Sequence, residues 1–97
     1  MHPTKVNRQH LNQLTDLPNI GKASAADLRL LGITAPAQLQ GRDAYQMYAS
    51  LCDLTGQRHD PCVIDVFLSV IRFVEGEEPQ AWWAFTDERK RTVSERT

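Results

Sequence analysis

One stretch of the chain, residues 14–28, has the residue types and spacing best suited to chemistry. It reads Leu-Thr-Asp-Leu-Pro-Asn-Ile-Gly-Lys-Ala-Ser-Ala-Ala-Asp-Leu. Pro18 ends a preceding helix, and Asn19 and Gly21 tolerate the unusual backbone angles of a very short turn. Ile20 fills the gap between two helices, which the alanines allow to approach closely. The stretch therefore predicts a tight turn between helices.

The turn has the chemistry of a phosphate site. The helix that starts around Gly21 exposes N–H groups that have no acceptor in the helix, and the helix dipole adds partial positive charge there. Lys22 adds a mobile positive charge. Because backbone donors hold a phosphate oxygen without contacting a base, we expect binding that is independent of base sequence and sensitive to salt.

These residues resemble the helix-hairpin-helix motif, whose turn contacts the DNA backbone and in some members binds a monovalent cation. The resemblance implies a set of phosphate-facing amides, which with the adjacent lysine gives the DNA-binding residues Asn19, Gly21, Lys22, Ala23 and Ser24. It also implies backbone carbonyls as cation ligands, those of Thr15, Leu17 and Ile20. The motif usually has glycine where this chain has Asn19, whose side chain can crowd a phosphate.

Two functions fit the sequence. The first is a non-enzymatic, sequence-independent DNA-binding module. The second is a protein-interaction or regulatory module, in which the turn only packs helices and the acidic middle of the chain contacts a partner. Residues 30–80 hold three Lys or Arg against seven Asp or Glu, and the net charge of −1 names no partner.

Other candidate sites are weaker. Cys52, His59 and Cys62 are metal-ligand types, but the chain has no Cys-x-x-Cys pair, and we expect both thiols to pack between helices. No catalytic constellation is evident, so we expect neither an enzyme, a metal centre nor a cofactor. Trp82 and Trp83 could stack on bases, but we expect them in the core.

The elements that position these residues are helical, because no stretch alternates apolar and polar residues as a half-buried strand does. We predict an all-α, compact bundle of about five helices that contains the helix-hairpin-helix motif. The predicted helices cover about residues 6–14, 22–31, 34–40, 43–55 and 60–75. Glycines 32, 41, 56 and 76 end the last four, and Thr34 and Asp43 are the predicted N-caps of the third and fourth.

The fifth predicted helix is apolar except for a narrow stripe of Asp65, Ser69 and Arg72, so the other helices must surround it. The 97 residues predict one domain over residues 1–88 and a polar tail over residues 89–97, where Arg89, Lys90 and Arg91 are solvated. No membrane-spanning or secretory segment is evident, so we expect a cytoplasmic protein that does not bind membranes.

A wider resemblance covers about residues 10–88. The order Leu-Pro-Asn-Ile-Gly-Lys, Leu-Arg-Leu-Leu-Gly-Ile, Leu-Gln-Gly-Arg-Asp, Tyr-Ala-Ser-Leu-Cys, Asp-Pro-Cys and Trp-Trp is similar to a small bacterial family of pathogenicity-locus or mitomycin-resistance helix-hairpin-helix proteins. A looser likeness extends to the C-terminal domain of the competence regulator TfoX. The family resemblance implies a helical protein linked to DNA damage or regulation.

Overall fold

Helices account for every regular element in the computed structural model, which describes residues 1–96. The four α-helices are α1 (Lys22–Leu30), α2 (Ala44–Thr55), α3 (Cys62–Val74) and α4 (Thr86–Arg96). Four short 3-10 helices lie between or before them, at Pro3–Lys5, Leu14–Asp16, Pro36–Leu39 and Trp82–Phe85. The prediction of an all-α fold is confirmed.

The boundaries of α2 follow from two residues that the sequence singles out. The Asp43 side chain accepts hydrogen bonds from the amides of Tyr45, at 2.9 Å, and Gln46, at 3.3 Å. These bonds satisfy donors that the first turn of the helix leaves without partners. At the other end, Gly56 has a left-handed backbone with φ of 67°, which ends the helix at low steric cost.

The core of the molecule is built around α3. This helix packs against α2, α4, the Pro36–Leu39 turn and the Trp82–Phe85 turn. Phe67, Val70 and Phe73 are among its fully buried side chains, and Leu14, Leu17, Ile20 and Leu28 belong to the same apolar cluster. The prediction that other elements surround this helix is confirmed, and the turn before α1 is anchored directly in the core.

The first predicted helix, over residues 6–14, is not formed. The segment contains a turn at residues 8–9 and extends to the Leu14–Asp16 3-10 helix. Arg8 lies across the C-terminus of α3, where its guanidinium donates to the carbonyls of Phe73 and Glu77 and stacks 4.0 Å from the Phe73 ring centroid. These tertiary contacts engage one carbonyl of the last turn of α3 and one of the loop after it, and they hold the segment in a non-helical path.

Two further elements differ from prediction. The third helix is a 3-10 helix, and Gln38 Oε1, rather than the predicted cap Thr34, accepts from the amides before it. A solvated polar tail was expected over residues 89–97, but residues 89–96 continue α4 and Arg89 packs inward against Asp65, while residue 97 lies outside the described residues. Each helix among the described residues is too short or too polar to span a lipid bilayer.

Candidate nucleic-acid interface

The predicted turn joins a 3-10 helix to an α-helix. Leu14–Asp16 forms a single 3-10 turn, Leu17 to Ile20 make the connection, and α1 starts after Gly21. Leu17 and Ile20 are buried, so these two side chains anchor the turn to the core. The expected arrangement of two α-helices is not present here, because the predicted first helix does not form.

Asn19 is the pivot of this turn. Its φ of 67° lies in the left-handed region, which asparagine tolerates better than most residues. Its Nδ2 donates to Ser69 Oγ at 3.0 Å and to the Gln80 carbonyl at 2.8 Å. The side chain thus points towards α3 and the loop after it, and it ties the turn to both.

The Asn19 backbone amide is also engaged. It donates to the Met1 carbonyl at 2.7 Å, so Asn19 does not offer the free donor that the motif resemblance implies. The remaining residues of the predicted set are brought together at the start of α1, where Gly21, Lys22 and Ala23 are exposed and Ser24 is half-buried.

The start of α1 has no protein cap. Gly21 occupies the N-cap position and has no side chain to accept a hydrogen bond. Within residues 1–96, no acceptor is found for the amides of Gly21, Lys22, Ala23 and Ser24. We call these four residues the α1 amide site. Lys22 forms no ion pair with any described residue, so its ammonium is available to an anion beside these amides.

The carbonyls implied as cation ligands converge on a cationic nitrogen. The Met1 ammonium donates to the carbonyls of Leu17 and Ile20, each at 2.8 Å, whereas the Thr15 carbonyl takes no part in this contact. Burial lowers the pKa of this amine below its usual value, and the nearby Asp16 carboxylate opposes that shift. Two of the three candidate carbonyls therefore already face a positive group.

A cavity of about 480 Å³ borders the α1 amide site. We call it the tryptophan cavity, since its lining includes Met1, His2, Asn19, Gly21, Trp82 and Trp83. Trp83 is 65% exposed, so the expectation that both tryptophans pack in the core is wrong for Trp83, while Trp82 is half-buried. Sequence alone could not separate them, because adjacent aromatic residues give no indication of which one faces the core.

The cysteine and histidine candidates serve structural contacts. His59 Nε2 lies 2.8 Å from Thr55 Oγ1, and the Tyr48 hydroxyl donates to the His59 carbonyl. Burial raises the pKa of Tyr48, and the hydrogen bond to Asp60 raises that of the Cys62 thiol. Among the side chains that the structure describes, no three of His, Cys, Asp or Glu are grouped so that they could hold a metal ion.

Comparisons with known proteins identify a family that the chain matches. The family described as Pathogenicity locus matches residues 7–91. The chain is also 39% identical over 83 residues to a mitomycin resistance protein, McrB, of Streptomyces lavendulae, a similarity that covers 86% of this chain and 79% of the relative. No solved structure matches the chain. The match to the family takes in α1, α2, α3 and the tryptophan cavity's Trp82 and Trp83.

Proposed function

The chain belongs to the Pathogenicity locus family, and we propose that it is a non-enzymatic protein that binds the DNA backbone without reading base sequence. The family and the mitomycin resistance protein point to a role in a pathogenicity locus or in mitomycin resistance. DNA binding in response to DNA damage would connect that role with the α1 amide site. The proposal keeps the helical turn as the contact surface, with Gly21, Lys22, Ala23 and Ser24 as its donors.

One observation carries the proposal: the first turn of α1 has neighbouring amides without acceptors and an exposed lysine beside them. Such amides, with the positive end of the helix dipole, favour an anion such as a phosphodiester oxygen. A turn that was buried, or surrounded by carboxylates, would argue against phosphate binding. Here the turn is exposed at Gly21, Lys22 and Ala23, which leaves the donors accessible to a duplex.

A capping substitution tests the proposal without disturbing the fold. Gly21 has an ordinary φ of −98°, and a Cβ built on it meets nothing within 4 Å. In Gly21→Asp, the new carboxylate would accept from the first-turn amides and repel phosphate, while the helix would be as stable as before or more so. We expect fluorescence anisotropy with a labelled duplex at low salt to show a loss of binding of about tenfold or more.

Two variants serve as controls. Gly21→Ala adds a side chain that neither caps the helix nor carries charge, and it should bind the duplex within about twofold of the original chain. Lys22→Glu should weaken binding, whereas Lys90→Glu, which makes the same charge change at an exposed position of α4, should have a smaller effect. If Gly21→Asp binds the duplex as well as Gly21→Ala does, the α1 amide site is not the DNA contact.

The second candidate function, a protein-interaction module, is favoured by a different observation. Leu30 and Leu54 are 56% and 62% exposed and line the same shallow groove on the surface formed by α1 and α2. Neighbouring exposed leucines are typical of a surface that contacts another protein. This function predicts that a protein partner co-purifies with the Gly21→Asp variant but is lost in a Leu30→Ser, Leu54→Ser double variant.

A further inference from the structure

We propose that the tryptophan cavity binds an unpaired nucleobase of the strand whose phosphate lies on the α1 amide site. This inference rests on the proposed function and adds the kind of DNA to it: single-stranded DNA, or a duplex with a locally unpaired base. Gly21 lines the cavity and is also the N-cap residue of α1, so the two surfaces are continuous. In a nucleotide the phosphate and the base are only a few bonds apart, so one nucleotide can reach both the α1 amide site and the tryptophan cavity.

The aromatic surface is open and held in a defined orientation. The Trp82 and Trp83 rings meet nearly at right angles, at 83°, with their centroids 5.5 Å apart. Trp82 is half-buried and anchors the pair, whereas Trp83 leaves 65% of its surface in solvent. Exposing a large indole is costly in water, and stacking on a planar ring recovers that cost while tolerating any of the four bases.

The charge around the cavity suits a nucleotide better than an uncharged aromatic group. None of the described residues that line it is acidic, and His2 is one of its lining residues. Asn19 and Gly21, which belong to the turn before α1, also line the cavity. Its volume of about 480 Å³ lies within the range of cavities that take small organic groups.

An intact duplex cannot use this cavity. Each base inside a double helix is stacked on its neighbours, so its faces are closed to a protein side chain unless the base is unpaired or turned out of the helix. Stacking on Trp83 therefore selects DNA in which a base is already free. The α1 amide site alone makes no such selection, because both forms present the same phosphates.

Intrinsic fluorescence tests the inference directly, because the chain has two tryptophans and both line the cavity. We expect a single strand of about ten nucleotides to quench this fluorescence and to bind more tightly than a blunt duplex of equal length. Trp83→Ala should weaken single-strand binding about tenfold and leave duplex binding within about twofold. Trp83→Phe should retain part of the preference, and Val93→Ala, at an exposed apolar position outside the cavity, should retain all of it.

Each remaining outcome has a distinct meaning. Equal binding of single strand and duplex, both unaffected by Trp83→Ala, overturns the inference and leaves the proposed function standing. If the unmodified chain binds no DNA at low salt, the proposed function is overturned, and the inference with it. A free mononucleotide that quenches and binds as tightly as the single strand overturns the assignment of the base to a DNA strand.

Discussion

Asn19 links the backbone conformation of the turn to the core. Its left-handed φ of 67° and its two side-chain hydrogen bonds, to Ser69 Oγ and to the Gln80 carbonyl, act at the same residue. The helix-hairpin-helix resemblance alone would favour glycine here. The structure gives a physical reason for asparagine, since glycine would relieve the backbone but could not bridge the turn to α3.

Substitutions at Asn19 should separate the contribution of its left-handed backbone from that of its side-chain hydrogen bonds. Asn19→Gly removes the bridging bonds and should lower the free energy of unfolding by about 1–2 kcal/mol. Asn19→Ala removes the same bonds and also places a Cβ in the left-handed region, so it should cost about 1 kcal/mol more. Urea denaturation of both variants measures the difference, and equal losses would show that backbone conformation does not contribute.

Asp65 is a fully buried carboxylate in the first turn of α3. Arg89 donates to it from Nε at 2.9 Å and from Nη2 at 3.3 Å, and the Thr86 hydroxyl donates to it at 2.8 Å. Hydrogen bonding to Asp65 raises the pKa of Arg89 further above its usual range. A buried charge without a partner is costly, so this cluster holds α4 against α3.

Removing the arginine should therefore destabilise the protein strongly. We expect Arg89→Met to lower the free energy of unfolding by about 3–5 kcal/mol, because it leaves Asp65 charged and buried without its partner. Adding Asp65→Asn to that variant should recover part of the loss, since the neutral amide can still accept from Thr86. Arg91→Met, at an exposed position of the same helix, is the control in the same denaturation series and should change little.

Short-range signals explain which helices could be predicted. Asp43 and Gly56 delimit α2, and Asp60 followed by Pro61 precedes α3, because capping and glycine conformations depend on neighbouring residues alone. The conformations of residues 6–14 and α4 could not be predicted from such local signals. The first segment is held by Arg8 at α3, and the polar α4 by the contact between Arg89 and Asp65, 24 residues apart.

The candidate site divides in the same way. The exposed amides at the start of α1 could be predicted from Gly21 and the residues after it, since helix termini leave donors unpaired regardless of the fold. The engagement of the Asn19 amide by Met1 and the exposure of Trp83 both depend on how distant segments pack. Neither has a periodicity or spacing that a sequence pattern could reveal.

The N-terminus of α3 should give a pH-dependent stability. Asp60 Oδ1 accepts from the Cys62 amide at 2.8 Å, and this bond lowers the pKa of Asp60 below its usual value of 3.8. A carboxyl group with a lowered pKa in the folded state adds stability above its unfolded pKa and loses that stability as the pH falls through the folded pKa. The contribution is therefore present at neutral pH and disappears in acid.

Thermal unfolding of Asp60→Asn across pH measures this contribution. At about pH 6 the variant should melt below the original chain, and the difference between the two melting temperatures should shrink as the pH falls below 3.8, because Asp60 then becomes protonated. Glu78→Gln, at an exposed position of the loop before the tryptophans, is the control and should follow the original chain throughout. A constant difference at all pH values would mean that the Asp60 charge is not responsible.

At the scale of the whole molecule, acidic and basic residues are nearly equal in number, and the ion pairs among the described residues lie in α3, α4 and the loop between them. Arg72 contacts Glu88 and Glu77, Arg89 contacts Asp65, and the net charge is −1. A net charge so close to zero gives the molecule little overall attraction for DNA at a distance. Binding must then come from local donors, with Lys22 as the mobile charge among them.

This charge distribution predicts a shallow salt dependence of DNA binding. Each phosphate neutralised on a duplex contributes a slope of about −0.9 to the logarithm of affinity against the logarithm of salt concentration. A site of one or two phosphates should lose about three- to twelvefold in affinity between about 50 and 200 mM salt. Anisotropy titrations with a labelled duplex measure the slope. A loss of about a thousandfold would require six or more phosphate contacts, and it would place the DNA interface on a much larger surface than the α1 amide site.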